Sequence, residues 1–131
     1  MKFTLPVIAG LLLTQTALAA ECSNAQTQQE MNTCAAAEYQ KADQQLNETY
    51  QAMLKRANPA QRELLTQAEQ AWIKVRDADC KFVSSGAEGG SAETLVHSQC
   101  LTDKTRERSN FLSSLEQCDE GDLSCPLPPE N

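Results

Sequence analysis

Polar and charged side chains recur at helical spacing in three parts of this chain, and their types suit a buried polar network. Asp43, Asn47 and Tyr50 share one face of a predicted first helix, whereas Arg76 and Arg108 occur in a second and a third. Because a buried charge requires a partner, we expect Asp43 to pair with an arginine and Tyr50 to donate its hydroxyl. The alternative is a polar groove that receives a ligand group.

Groups that could perform catalysis are few. His97 is the only histidine, and Ser98 beside it cannot form a catalytic pair with it, because adjacent residues on a helix do not face each other. No carboxylate lies in an apolar stretch suited to acid–base chemistry. Gly86, Gly89 and Gly90 lack the lysine and the preceding strand of a phosphate-binding loop. We therefore predict a protein that is not an enzyme and that needs no cofactor.

The six cysteines all follow residue 21, and none of them forms a Cys-x-x-Cys motif. Since the chain also has a single histidine, we predict neither a metal site nor a redox-active pair. An even number of cysteines in an exported chain is typical of disulfides. Many pairings are possible, and we favour the local set: Cys22–Cys34, Cys80–Cys100 and Cys118–Cys125.

Three segments position these groups, and each repeats apolar residues every three or four positions, which predicts helices over about 27–57, 59–82 and 92–117. Thr27 and Glu30 form a capping-box pattern at the first start. Asn58-Pro59 ends the first helix and begins the second. Because that connection is short, the two helices should be antiparallel neighbours.

The predicted fold is all-α, a small three-helix antiparallel bundle stapled by disulfides. The second helix carries the only tryptophan of the chain. The residues that we expect in the core are Leu46, Leu65, Trp72, Val75 and Leu112. Beyond residue 117 the chain is acidic and rich in proline, so we predict a tail over 118–131 with little regular structure.

The first 19 residues have the pattern of a signal peptide, with Lys2 before an apolar run and Ala17-Leu18-Ala19 at the end. Glu21 precedes Cys22, which does not suit lipid attachment, so we expect a domain over 20–117 without a membrane anchor. Loss of Lys2 would change the formal net charge from −7 to −8. Such a surface repels nucleic acid and favours a cationic partner. The alternative is that the charge serves solubility alone. The oligomeric state is left open.

Four spaced blocks of residues stand out along the predicted helices: Thr27-x-x-x-Met31-x-x-Cys34, Asp43-x-x-Leu46-Asn47-x-x-Tyr50, Trp72-x-x-x-Arg76-Asp77-x-x-Cys80, and Cys100 with Thr105, Arg108 and Leu112. Together these blocks resemble the LprI-like lysozyme inhibitor family of exported bacterial proteins. The match extends over roughly 22–115, and the chain departs from the family at Glu69, where a glutamine is usual.

The resemblance implies an all-helical, disulfide-linked protein of the periplasm or the extracellular space that binds and blocks c-type lysozyme. Net negative charge would attract the cationic enzyme, and a loop or helix end would enter its carboxylate-lined cleft. The residues that we expect at this contact are Lys81, Gly86, Glu88, Gly89 and Gly90. The alternative is a non-enzymatic envelope protein with another protein partner and an accessory or structural role.

Overall fold

A computed structural model describes residues 22–127 of the chain, and within this range the backbone is helical apart from short connections and the tail. Helix α1 spans Gln28–Arg56, α2 spans Pro59–Ser84 and α3 spans Glu93–Ser114. A single 3-10 turn, Ser85–Ala87, follows α2. The all-α antiparallel bundle that the sequence predicts is confirmed. The predicted signal peptide lies outside the described residues, and none of the helices within 22–127 is long and apolar enough to cross a membrane.

Local hydrogen bonds set where the first two helices begin. The Thr27 hydroxyl accepts from the Glu30 amide at 3.1 Å and caps α1. At the junction with α2, the Asn58 side chain accepts from the Gln61 amide at 2.9 Å, and the Gln61 side chain accepts from the Asn58 amide at 3.1 Å. Pro59 then occupies the first turn of α2, where its missing N–H costs nothing. These short-range contacts turn the chain back on itself.

The core lies mainly between α1 and α3, which pack most closely, whereas α2 rests chiefly on α3. Leu46 and Leu112 are buried there, as predicted. Leu65 and Trp72, also predicted, are partly buried against the same cluster. The other buried members of the cluster are Met53, Ala57 and Leu127.

The prediction that Val75 belongs to the core is wrong, because 57% of its surface is exposed. The apolar arc of α2 is wider than the surface that the bundle covers, so only part of it can face inward. The part that faces outward comprises Leu64, Ala68, Ala71, Val75, Ala78 and Phe82, all of them exposed, and is called the outer stripe here.

The three cysteine pairs follow the predicted local pairing, Cys22–Cys34, Cys80–Cys100 and Cys118–Cys125, with Cα–Cα distances of 5.4, 5.4 and 5.8 Å. The Cys80–Cys100 bridge joins the end of α2 to α3, with Cys80 fully buried and Cys100 partly buried. Each bridge closes a short stretch of chain, which is why local separation was a useful guide.

The tail contains no helix in its described part, 118–127, but it is packed on the bundle. Leu127 is buried in the core cluster. The Gln61 side-chain amide donates to the carbonyl of Pro126. Just before the tail, Arg56 donates to the carbonyl of Glu116 at 3.2 Å. The division into a domain over 20–117 and a tail remains a prediction, yet the tail contributes to the core.

Candidate functional site

Arg76 is the centre of a polar and aromatic cluster in the middle of the bundle. Its guanidinium lies 3.8 Å from the Asp43 carboxylate on α1 and 3.0 Å from that of Asp77 on its own helix. It also donates to the Thr105 hydroxyl on α3 at 3.4 Å. Because Arg76 is buried, these partners compensate its charge and hold the three helices in register.

Trp72 lies between two guanidinium groups. Arg76 is 5.1 Å from the centre of its ring and Arg108 is 5.5 Å from it. Arg108 in turn pairs with the Glu69 carboxylate at 3.2 Å, with both side chains largely buried. Cation–π contacts of this kind strengthen when water is excluded. The tryptophan is therefore fixed by charge as well as by packing.

The structure separates Tyr50 from the arginines with which it was grouped in the sequence. The Tyr50 hydroxyl donates to the Thr66 hydroxyl on α2 at 3.2 Å. Asn47 is exposed and donates to the Asp43 carboxylate at 3.5 Å. A shallow cavity of about 210 Å³ lies between α1 and α2 beside Tyr50, Trp72 and Arg76. Four members of the predicted set therefore lie in the arginine cluster, and Tyr50 alone pairs elsewhere, across a small cleft between the helices.

The environment of Tyr39 shows how burial acts in this cluster. Burial raises the pKa of the Tyr39 phenol above its ordinary value, and the nearby Arg76 guanidinium opposes that shift. The carboxylates of Asp43 and Asp77 raise the pKa further. Because its pKa is raised, the Tyr39 phenol stays neutral. Its ring lies 5.5 Å from the Arg76 guanidinium and contacts the cation through its face.

Glu69 and Tyr39 belong to this cluster and were not identified as members from the sequence. Glu69 is buried, and it precedes Arg76 by seven residues, so both lie on one face of α2. That spacing, together with Arg108 on a neighbouring predicted helix, was the signal that could have identified Glu69 as an ion-pair partner. Tyr39 lies on the apolar line of α1, where nothing distinguishes a ring that contacts a cation from a packing residue.

The loop after α2 lies at one end of the bundle, and all five residues that we expect at a partner contact are exposed there: Lys81, Gly86, Glu88, Gly89 and Gly90. None of the ion pairs, hydrogen bonds or ring contacts described for the arginine cluster involves these five residues.

Three connections pin this loop. The Cys80–Cys100 bridge fixes its start. The Asn32 side-chain amide on α1 donates to the carbonyl of Ser91 at 3.1 Å, and the Gly89 amide donates to the Glu93 carboxylate at 3.1 Å. Gly89 has a φ of +79°, a conformation that favours glycine. The loop is therefore accessible to a partner and held in one conformation, which lowers the entropy cost of binding.

Fold and site together define a small disulfide-linked helical bundle that presents a pinned loop at one end. The chain belongs to the lysozyme inhibitor LprI family, whose model matches residues 19–112. The four blocks of residues described above lie within that range, and the match confirms the resemblance.

Two further proteins are similar to this chain. An uncharacterized protein of Rhizobium meliloti (strain 1021) is 33% identical over 113 residues, covering 76% of this chain and 81% of the relative. The crystal structure of a DUF1311 family protein from Pseudomonas putida KT2440 superposes with a TM-score of 0.62 at 27% identity. That alignment covers 67% of this chain and 92% of the other.

Proposed function

We propose that this protein is exported to the periplasm or secreted, and that it inhibits c-type lysozyme by occluding the active-site cleft. Membership of the lysozyme inhibitor LprI family is the observation that carries the proposal. The predicted export signal and the three disulfides support an extracytoplasmic site of action.

Charge favours the encounter. The formal net charge, −7 for the full chain and −8 without Lys2, attracts a cationic enzyme, and long-range attraction raises the association rate. Because solvent-exposed charges are screened by salt, we expect the association rate and the inhibition to fall as ionic strength rises.

The pinned loop is the proposed inserting element. A glycosidase cleft contains two carboxyl groups that a basic side chain can pair with. Lys81 is the base next to the loop, in the last turn of α2. Its ammonium would neutralise a catalytic carboxylate, while the residues from Gly86 to Gly90 fill the cleft. Glu88 lies in the same loop and would oppose this contact.

The test is a cell-wall lysis assay with the purified, oxidised protein and c-type lysozyme. Lys81→Ala should weaken inhibition about tenfold or more, because a buried charge pair at an interface contributes more than 1 kcal/mol. Lys55→Ala removes the same charge from an exposed site in the last turn of α1, and should leave inhibition within about twofold. Glu88→Gln should strengthen inhibition.

Two outcomes would contradict the proposal. Full lysozyme activity at a large molar excess of inhibitor would exclude inhibition of the enzyme tested. In that case, capture of another envelope protein would favour the accessory role. Equal inhibition by Lys81→Ala and Lys55→Ala, at or above the level of the unchanged protein, would show that only total charge matters and that Lys81 does not enter the cleft.

A further inference from the structure

The outer stripe of α2 has the spacing of a coiled-coil seam. Its six residues follow one another at intervals of four, three, four, three and four. This is the 3.5-residue repeat of positions that meet a partner helix, and no member of the series is polar. Core packing does not explain the series, because the buried side of α2 carries Glu69 and Arg76 instead.

The stripe is a continuous exposed apolar surface. Leu64, Val75 and Phe82 are 65%, 57% and 81% exposed, and alanines lie between them. Single exposed apolar residues are ordinary, whereas a contiguous band usually marks an interaction surface. From Leu64 to Phe82 the band is about 27 Å long, at 1.5 Å per residue.

The stripe is complementary to itself when it runs antiparallel to a copy. With a two-fold axis at the level of position 73 along α2, large residues face large ones at the ends, small residues face small ones between them, and the centre has one of each. The facing pairs are Leu64 with Phe82, Ala68 with Ala78, and Ala71 with Val75 of the second copy. Small residues along the seam allow close approach of the two helices, since interaxial distance depends on the side chains at the contact.

The charges beside the stripe suit the same register. Glu63 and Lys81 lie on one flank of α2, and both are exposed. A two-fold axis that reverses the helix places Glu63 of one copy near Lys81 of the other, twice per dimer. Lys74 lies on this flank near the axis and would face its own copy, which costs some affinity.

We propose that a second copy of this chain covers the outer stripe, forming a symmetric antiparallel α2–α2 dimer. The interface is isologous, as in most homodimers. The band is about 27 Å long and one helix wide, so its area is smaller than the roughly 800 Å² per partner that a standard interface buries. The dimer is therefore weak and reversible. Because Lys81 lies at its rim, dimerisation and the proposed lysozyme contact would compete.

Sedimentation equilibrium of the oxidised protein alone, between about 10 µM and 1 mM, is the primary measurement. We expect the average mass to rise toward that of a dimer. Val75→Glu places a charge at the centre of the seam and should weaken association by at least about tenfold. Leu123→Glu introduces the same charge at a fully exposed leucine outside the stripe and should have no effect.

Cross-linking tests the register. Carbodiimide joins a carboxylate directly to an amine, and Glu63 and Lys81 of one chain are about 27 Å apart along α2. A Glu63–Lys81 cross-link is therefore possible only between two chains. We expect it in a dimer-sized product and expect Val75→Glu to abolish it.

A gain of affinity excludes misfolding as an explanation. Lys74→Gln removes the like-charge contact at the axis and should strengthen association about twofold. Added salt should also strengthen association of two acidic copies, whereas it should weaken binding to a cationic enzyme. Since these measurements contain no lysozyme, they can fail while the proposed function holds.

Constant monomer mass up to 1 mM, or an unchanged mass for Val75→Glu, would overturn the dimer.

Discussion

At the scale of residues, the chain stabilises two buried arginines by different means. Arg76 has carboxylates, a hydroxyl and two aromatic rings as partners, whereas Arg108 has a single carboxylate, Glu69, together with the rings of Trp72 and Phe111. Shared compensation makes each partner of Arg76 less critical, while Glu69 is the sole ion-pair partner of Arg108 in the described residues. From the sequence, Asp43 was the expected partner of a buried arginine. In the structure, the carboxylate that matters more for compensating a buried arginine is that of Glu69.

Glu69→Ala should therefore destabilise the protein by about 3 kcal/mol, because it leaves the largely buried Arg108 without its counter-ion. Asp43→Ala should cost less than about 1 kcal/mol, since the Asp43 side chain is 40% exposed and Arg76 keeps Asp77. Urea unfolding followed by circular dichroism measures both changes. Glu63→Ala, an exposed site on the same helix, is the matched control and should be close to neutral. Equal costs for Glu69→Ala and Asp43→Ala would contradict this account.

At the scale of elements, α2 is the helix with two different faces. One face carries Glu69, Arg76 and Cys80 to the inside, and the other carries the outer stripe. An ordinary amphipathic helix would place its apolar side inward. Here the Cys80–Cys100 bridge and the ion pair between Glu69 and Arg108 instead orient the helix on α3.

The bridge should accordingly matter for stability and for the loop. Replacing Cys80 and Cys100 together by alanine should lower the free energy of unfolding by roughly 3 kcal/mol, since the bridge spans 20 residues of sequence. The Cys118–Cys125 bridge spans 7, and its removal should cost about 2 kcal/mol. Denaturant unfolding compares the two double variants. A larger loss for the tail pair would show that loop closure does not govern the contribution of these bridges.

At the scale of the whole molecule, the described part of the tail completes the bundle. Leu127 belongs to the core cluster with Met53 and Ala57. The Cys118–Cys125 bridge lies two residues before it and restricts the conformations of the chain that leads to it. A bundle of this size has little apolar surface to spare, so a single leucine from outside the helices is a substantial addition.

Leu127→Ala should therefore cost about 2 kcal/mol of stability through the cavity that it leaves. Leu123→Ala makes the same change in the same tail at a fully exposed position, and should be neutral within about 0.5 kcal/mol. Thermal unfolding of the two variants side by side measures the difference. A neutral Leu127→Ala would mean that the tail is not packed in solution.

The sequence by itself determined the features that depend on neighbouring residues. Thr27 and Asn58 cap helices with groups three residues away, so the helix starts were predictable. The cysteines pair over short separations, so the local pairing was predictable too. The spaced blocks were sufficient to identify the family.

Only the tertiary structure decided which side of α2 faces inward. Periodicity identifies an apolar arc but cannot choose among overlapping faces when the arc is wider than the available contact. Contacts with α3, which are remote in sequence, bury Glu69 with Arg108 and leave Val75 in solvent. The burial of Leu127 is likewise set by the core cluster, whose other members are remote in sequence, and no local pattern in the tail predicts it.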